Sequence, residues 1–258
     1  MVRRSALTAA ALTLLALSLA PSGAQAAQGI SLAWNHCLSE GTGVQNKTFA
    51  CDTNIGSNTM VGTFQLNTNM NQMIGAEIVL QLASAGASLP AWWDLYNAGT
   101  CRPTALSVNS LADPGDVSCP DWSSGQMFVG IGAYCGSTGT CVDHPLNANT
   151  VRIKLVEAVA QQFATTLIGG QEYFVFNLDI QNSKTVGTGA CAGCSTPVCI
   201  VLNSIDVVAA GNIEHRKLTT ASSPGGNYVT WQGGAGTNCP AATPTRNSTW
   251  GSVKSLYR

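Results

Sequence analysis

Charge is scarce in this sequence: 12 basic and 13 acidic side chains among 258 residues, 10 % of the chain, against about 25 % in an ordinary domain. No stripe of lysine and arginine occurs, which excludes the electrostatic footprint of a nucleic-acid partner. There are three histidines, His36, His144 and His215, and none has the spacing of a zinc-ligand motif. No G-x-S-x-G elbow is present and no long stretch repeats apolar residues at helical spacing, so the usual scaffold of an α/β serine hydrolase is absent. Beyond residue 26 no run is apolar for long enough to cross a bilayer as a helix.

The first residues do carry a message. Met1-Val2-Arg3-Arg4 precedes an apolar run from Ala6 to Ala20, followed by Pro21-Ser22-Gly23-Ala24-Gln25-Ala26. Two arginines, an apolar core and a small-x-small ending predict a cleavable export signal over residues 1–26 and an extracytoplasmic product, extracellular or periplasmic. Without Arg3 and Arg4 the chain keeps 10 basic and 13 acidic side chains, a net charge of −3. The polar surface must then come from Asn, Thr, Ser, Gln and Gly, which suits short strands and many turns.

Ten cysteines stand behind that signal: Cys37, Cys51, Cys101, Cys119, Cys135, Cys141, Cys191, Cys194, Cys199 and Cys239. An even count in an exported chain predicts up to five disulfides. Local spacing pairs Cys37 with Cys51, Cys101 with Cys119 and Cys135 with Cys141, leaving Cys191, Cys194, Cys199 and Cys239 for the other two. Cys191-Ala192-Gly193-Cys194 also has the form of a redox pair or half a zinc site, but its glycine-rich flanks supply no helix to lower a thiol pKa.

Apolar residues alternate with period two along Thr59 to Leu66, Ala76 to Leu82, Gln126 to Tyr134, Val151 to Val159, Glu172 to Ile180 and Cys199 to Val208. Shorter strands are expected at Gly29 to Trp34, Trp92 to Tyr96, Thr104 to Val108 and Asn227 to Trp231. In the Glu172 strand, Phe174, Phe176, Leu178 and Ile180 share one face, with Asn177 and Asp179 on a wet one. About ten strands separated by Gly- and Pro-containing turns predict an all-β fold, a two-sheet antiparallel β-sandwich of jelly-roll or immunoglobulin-like kind. Residues 27–239 form that domain; 240–258 are a proline-containing connector and a tail whose Trp250, Val253 and Tyr257 have helical spacing.

Three kinds of chemistry find residues here. Glu77, Glu157, Glu172 and Asp179 lie on strands, where paired carboxylates could hydrolyse a glycoside. Asp113, Asp116 and Asp121 crowd a turn-rich segment, which leaves calcium as the one cofactor with hard oxygen ligands to hand. Trp92 and Trp93 are adjacent; on a strand they point to opposite faces, so one of them, with Tyr96, Trp122 or Trp231, would make an exposed platform for a sugar ring or a protein partner. Asn46-Lys47-Thr48 and Asn247-Ser248-Thr249 match the glycosylation acceptor pattern.

The stretch from Val61-Gly62-Thr63-Phe64 through Met73-Ile74-Gly75-Ala76-Glu77-Ile78-Val79-Leu80 to Leu89-Pro90-Ala91-Trp92-Trp93, the block around Cys191-Ala192-Gly193-Cys194 and Pro197 to Asn203, and the ending Trp250 to Arg258 resemble a group of uncharacterised secreted bacterial proteins. The M-x-G-x-E-I-V-L segment is similar to early strands of cohesin and carbohydrate-binding sandwiches, although ten cysteines depart from ordinary cohesins. The resemblance implies a sandwich and no activity. The reading from sequence is therefore a secreted, non-catalytic binding or surface-associated sandwich whose ligand is a carbohydrate or a protein. A secreted glycosidase-like hydrolase is the alternative, and a structural component of an extracellular assembly the third.

Overall fold

A computed structural model describes residues 27–110, 118–136, 147–222, 226–233 and 239. The expected export signal, the connector and the tail lie outside the described residues. Twelve strands are described. The first six are β1 (Gly29–Trp34), β2 (Asn46–Lys47), β3 (Ser57–Gln65), β4 (Met70–Ser84), β5 (Leu106–Asn109) and β6 (Phe128–Cys135). The others are β7 (Thr150–Ala158), β8 (Thr165–Leu167), β9 (Glu172–Gln181), β10 (Val198–Ala209), β11 (His215–Leu218) and β12 (Tyr228–Trp231). All the long runs of period-two alternation are strands.

The strands form two sheets packed face to face, an all-β sandwich. One sheet has the order β1-β3-β9-β5; the other runs β2-β12-β10-β4-β7-β6, with β11 paired to β10 and β8 to β4. All pairings are antiparallel except that of β2 with β12. Apolar side chains of both inner faces make one core, from Met60, Phe176 and Leu178 on one sheet to Leu80, Ile153 and Ile205 on the other. The exposed side of β1 is closed by other segments: Ile30 N–H donates to the Thr220 carbonyl and Trp34 N–H to that of Val44. Covering an edge in this way blocks pairing with a foreign strand.

β9 follows its predicted alternation with one interruption. Gly62 faces Phe176 while Thr63 faces Phe174, so Val175 is the extra residue of a bulge. A Cβ at Gly62 would stand 2.2 Å from the Phe176 ring, so only glycine lets that ring lie across the neighbouring strand. Beyond the bulge, Leu178 and Ile180 enter the core while Asp179 and Gln181 turn outward.

The expected strand at Trp92 to Tyr96 is a correction. Ala91–Trp93 is a 3-10 turn entered through Pro90, closed by Trp93 N–H on the Pro90 carbonyl and Asp94 N–H on that of Ala91. With three residues per turn, neighbours are about 120° apart rather than on opposite faces. Both indoles therefore reach the core, with their ring centres 4.9 Å apart.

They join an aromatic block that fills one end of the sandwich. The Trp231 ring stacks on Phe49 at 4.0 Å and meets Trp92 at 5.0 Å and Trp93 at 5.4 Å, while Trp34 packs edge-on against Phe49 at 4.7 Å. The Trp34 Nε1–H donates to the Thr230 carbonyl, tying β1 to β12 across the two sheets. Trp231 Nε1–H donates to the Cys194 carbonyl at 2.6 Å, whereas the buried Nε1–H of Trp93 has no partner. Trp231→Phe is accordingly expected to cost about 1 kcal/mol more than Trp93→Phe, since only the former removes a formed hydrogen bond. Urea denaturation of the two variants checks the order.

Four disulfides are described, and they correct the local pairing. Cys37 bonds to Cys119, Cys51 to Cys194, Cys101 to Cys191 and Cys199 to Cys239. Neither Cys37 with Cys51 nor Cys101 with Cys119 forms, and the cysteine cluster keeps one internal pair and sends Cys191 and Cys194 to distant segments. Cys135 is also disulfide-bonded; the expected partner, Cys141, lies outside the described residues. Gly193, at φ +114° and with no room for a Cβ, which would stand 2.1 Å from Pro90 Cβ, lies between Cys191 and Cys194 where they diverge to separate partners. Disulfides at this density belong to a non-cytoplasmic, oxidising setting, and no helix among the described residues is long and apolar enough to cross a membrane.

Candidate functional site

On the outer face of the four-stranded sheet, the cross-strand register lines up polar side chains in rows. Ser57 stands opposite Gln181, and Thr59, Asp179 and Ser107 form the next row across β3, β9 and β5. Above these rows lies an open groove of about 340 Å3. Its floor is Ser57, Ser107, Asp179 and Gln181, and its walls are Asn54 and Gly56 on one side and Ser183 on the other. Among the described residues no apolar or aromatic side chain and no lysine or arginine lines it.

The walls are clipped together. Asn54 Oδ1 accepts from the backbone N–H of Thr185 at 2.7 Å and of Val186 at 2.9 Å, and its Nδ2 donates to the Val186 carbonyl. Asn182 accepts from Asn58 Nδ2 at 3.0 Å and donates to the Ile55 carbonyl at 3.0 Å. Two disulfides sit just behind: Cys51 precedes one wall, Cys191 and Cys194 follow the other, and Cys101 leads into β5.

On the floor the Thr59 hydroxyl donates to Asp179 Oδ1 at 2.5 Å, while Oδ2 has no partner among the described residues. Ser57, Ser107, Ser183 and Gln181 likewise offer side-chain groups with no hydrogen-bond partner among the described residues. Two cations are close but turned away. Lys184 Nζ donates to the Cys101 carbonyl at 2.8 Å. Arg102 is buried under the sheet against the Trp92 ring at 3.6 Å, with Nη1 donating to the Trp92 carbonyl and Nη2 to that of Gln181. Burial brings its pKa down to about 10, so it stays charged at neutral pH.

The aromatic platform expected from sequence does not exist. Trp92, Trp93, Trp122 and Trp231 are all buried, and Tyr96, 38 % exposed, stands without them. Buried indoles cannot offer a face to a ligand; these four serve the core instead.

The four carboxylates do not converge. Glu77 is exposed on the outer face of the eight-stranded sheet, beside Val156 of β7. Glu172 clasps the segment after Cys37, accepting from Leu38 N–H, Ser39 N–H and the Thr63 hydroxyl. Asp179 belongs to the groove.

Glu157 points away from solvent, for it continues the inward row Val151, Ile153 and Leu155 and is 1 % exposed. Its Oε1 accepts from Trp122 Nε1 at 3.2 Å and its Oε2 has no partner. Desolvation holds its pKa well above the ordinary carboxylate range, and the nearby charge of Asp121 adds to the shift while the Trp122 bond opposes it. This buried acid, invisible to a reading that places acids on wet faces, could have been suspected from its even spacing with Val151, Ile153 and Leu155.

Asp121 caps a turn, its Oδ1 accepting from the N–H and hydroxyl of Ser123 at 2.7 Å each and its Oδ2 from Gly125 N–H at 2.6 Å. Those bonds hold both carboxylate oxygens against the turn's own N–H and hydroxyl groups. Asp113 and Asp116 lie outside the described residues, and among the described residues no three His, Cys, Asp or Glu side chains are placed to hold a metal ion. His36 bonds Glu40 at 2.9 Å, His215 faces Asp206 at 3.7 Å, and His144 lies outside the described residues. No protein-family model and no curated protein matches the chain.

Proposed function

We propose that the protein is a secreted, non-catalytic binding sandwich, acting outside the cytoplasm, whose ligand, a carbohydrate or a protein segment, lies in the groove of the four-stranded sheet. The resemblance to secreted bacterial proteins and to cohesin and carbohydrate-binding sandwiches agrees with an exported sandwich and leaves the ligand open. The observation that carries it is the set of free polar groups from Ser57, Ser107, Asp179, Gln181 and Ser183 held at one concave surface. Hydroxyls and amides left unpaired together, on walls braced by disulfides and asparagine clasps, are preorganised for a partner.

A hydrolase reading has one observation in its favour, since Glu157, whose pKa desolvation holds well above the ordinary carboxylate range, lies near a second carboxylate, Asp121. Glu157 is sealed in the core beneath Trp122, however, where no substrate reaches it. Filling the groove by Ser107→Trp separates the alternatives. Retention on arrays of oligosaccharides and peptides should be lost while the melting temperature is unchanged. Binding indifferent to that change, or turnover of chromogenic glycosides abolished by Asp121→Asn, would overturn the proposal.

A further inference from the structure

Resting on the binding reading above, we infer that the groove selects a neutral, hydroxyl-rich ligand, a saccharide, with Asp179 as its specificity-determining acceptor and Ile55 as an apolar lip. The inference comes from what the lining offers and what it lacks. Three serine hydroxyls each donate one hydrogen bond and accept two, Gln181 does both through its amide, and Asp179 only accepts. Strand geometry spaces these groups about 4.8 Å apart across the sheet and about 6.7 Å along each strand. A sugar presents hydroxyls around a ring, each able to donate to a carboxylate and accept from a serine, and so meets such a grid at several points at once.

Other ligand classes fit worse. A phosphate, sulfate or uronate would face the Asp179 carboxylate with no cation among the described residues to receive it, because Lys184 and Arg102 are engaged with backbone carbonyls. An apolar side chain would find mostly polar atoms along the lining. A single carboxylate, one of whose oxygens already accepts from Thr59, falls short of the six to eight oxygens of a calcium site.

Ile55 stands between the wall residues Asn54 and Gly56 and is 83 % exposed, the most exposed of the large apolar side chains described. An aliphatic group at the rim of a polar groove suits the C–H face of a sugar ring. Since no aromatic ring stacks on the ligand, affinity rests on hydrogen bonds and is modest.

The test is a 15N–1H titration of the disulfide-intact protein with neutral xylo-, cello- and manno-oligosaccharides, sulfated and uronic oligosaccharides, and lysine-rich and Ser/Thr-rich peptides. Expected are saturable shifts at Ser57, Ser107, Asp179, Gln181 and Ser183 with a neutral saccharide, and weaker ones with its charged counterparts. Asp179→Asn, which keeps an acceptor for Thr59, should weaken the binding about tenfold, and Ile55→Ser severalfold at unchanged melting temperature. If a charged saccharide or a peptide moves the same amides instead, the ligand class is wrong and the binding reading stands. If no probe moves them, or if shifts map elsewhere, both fall.

Discussion

Replacing Cys51 and Cys194 together by alanine is expected to lower the unfolding free energy by about 2–4 kcal/mol, and the melting temperature by roughly 5–15 °C for a domain of this size. The two residues are 143 apart in sequence, but Cys101–Cys191 spans most of that interval already. With that bond in place, the additional loop closed by Cys51–Cys194 is roughly 50 residues, so the chain-entropy gain is smaller than the separation implies. Packing adds to the loss. The Cys194 carbonyl accepts from Trp231 Nε1 and from Gln232 Nε2, and Gln232 also donates to the Phe49 carbonyl. The bond therefore ties the aromatic block to the loop behind the groove. Calorimetry of the double variant against the parent, both otherwise oxidised, measures the effect; a change below 1 kcal/mol would show that the other staples already hold this end of the sandwich. The variant should also bind more weakly in the groove, because one wall loses its anchor.

For Glu157→Gln the expected result is a gain of stability that grows with pH. The folded-state pKa of Glu157 is raised by desolvation well above 4.5, its ordinary value. Below that value both folded and unfolded chains hold the proton, and the group contributes no pH dependence. As pH rises above it, the unfolded chain releases the proton and the folded chain retains it, so stability falls by about 1.4 kcal/mol per pH unit until the folded-state pKa is reached. Glutamine has the shape of the protonated acid, accepts from Trp122 through its own oxygen, and never ionises. The parent and variant should be nearly equally stable in acid and diverge as pH rises above 4.5, until the raised folded-state pKa is passed. Denaturation curves from acid to mildly alkaline pH test this, and parallel profiles would mean that Glu157 ionises freely in the folded state. Glu157→Ala should instead destabilise throughout, leaving the Trp122 Nε1–H buried without an acceptor.

Much of the architecture was legible because strand periodicity is a local property. From Phe176 to Gln181 alternate side chains point the same way whatever the rest of the chain does, which alone puts Asp179 on the outer face. The bulge at Val175 was not legible, since it arises where the Phe176 ring lies over Gly62 of another strand. Trp92 and Trp93 misled for a related reason. Two residues do not distinguish a strand from a 3-10 turn, and the turn that buries both is stabilised by contacts with Trp231 and Arg102, far away in sequence or hidden in a loop.

Reading along the chain was enough for the two-sheet plan, for oxidised cysteines and for a surface poor in charge, because alternation, composition and cysteine count do not depend on distant partners. Which cysteines meet was settled in three dimensions. The entropic cost of closing a loop grows only about 0.6 kcal/mol with each doubling of its length, so proximity in sequence gives Cys37 little reason to prefer Cys51 over Cys119 once β-sheet packing brings the latter near. The groove has the same origin: Ser57, Ser107 and Asp179 become neighbours only through antiparallel pairing of β3, β9 and β5.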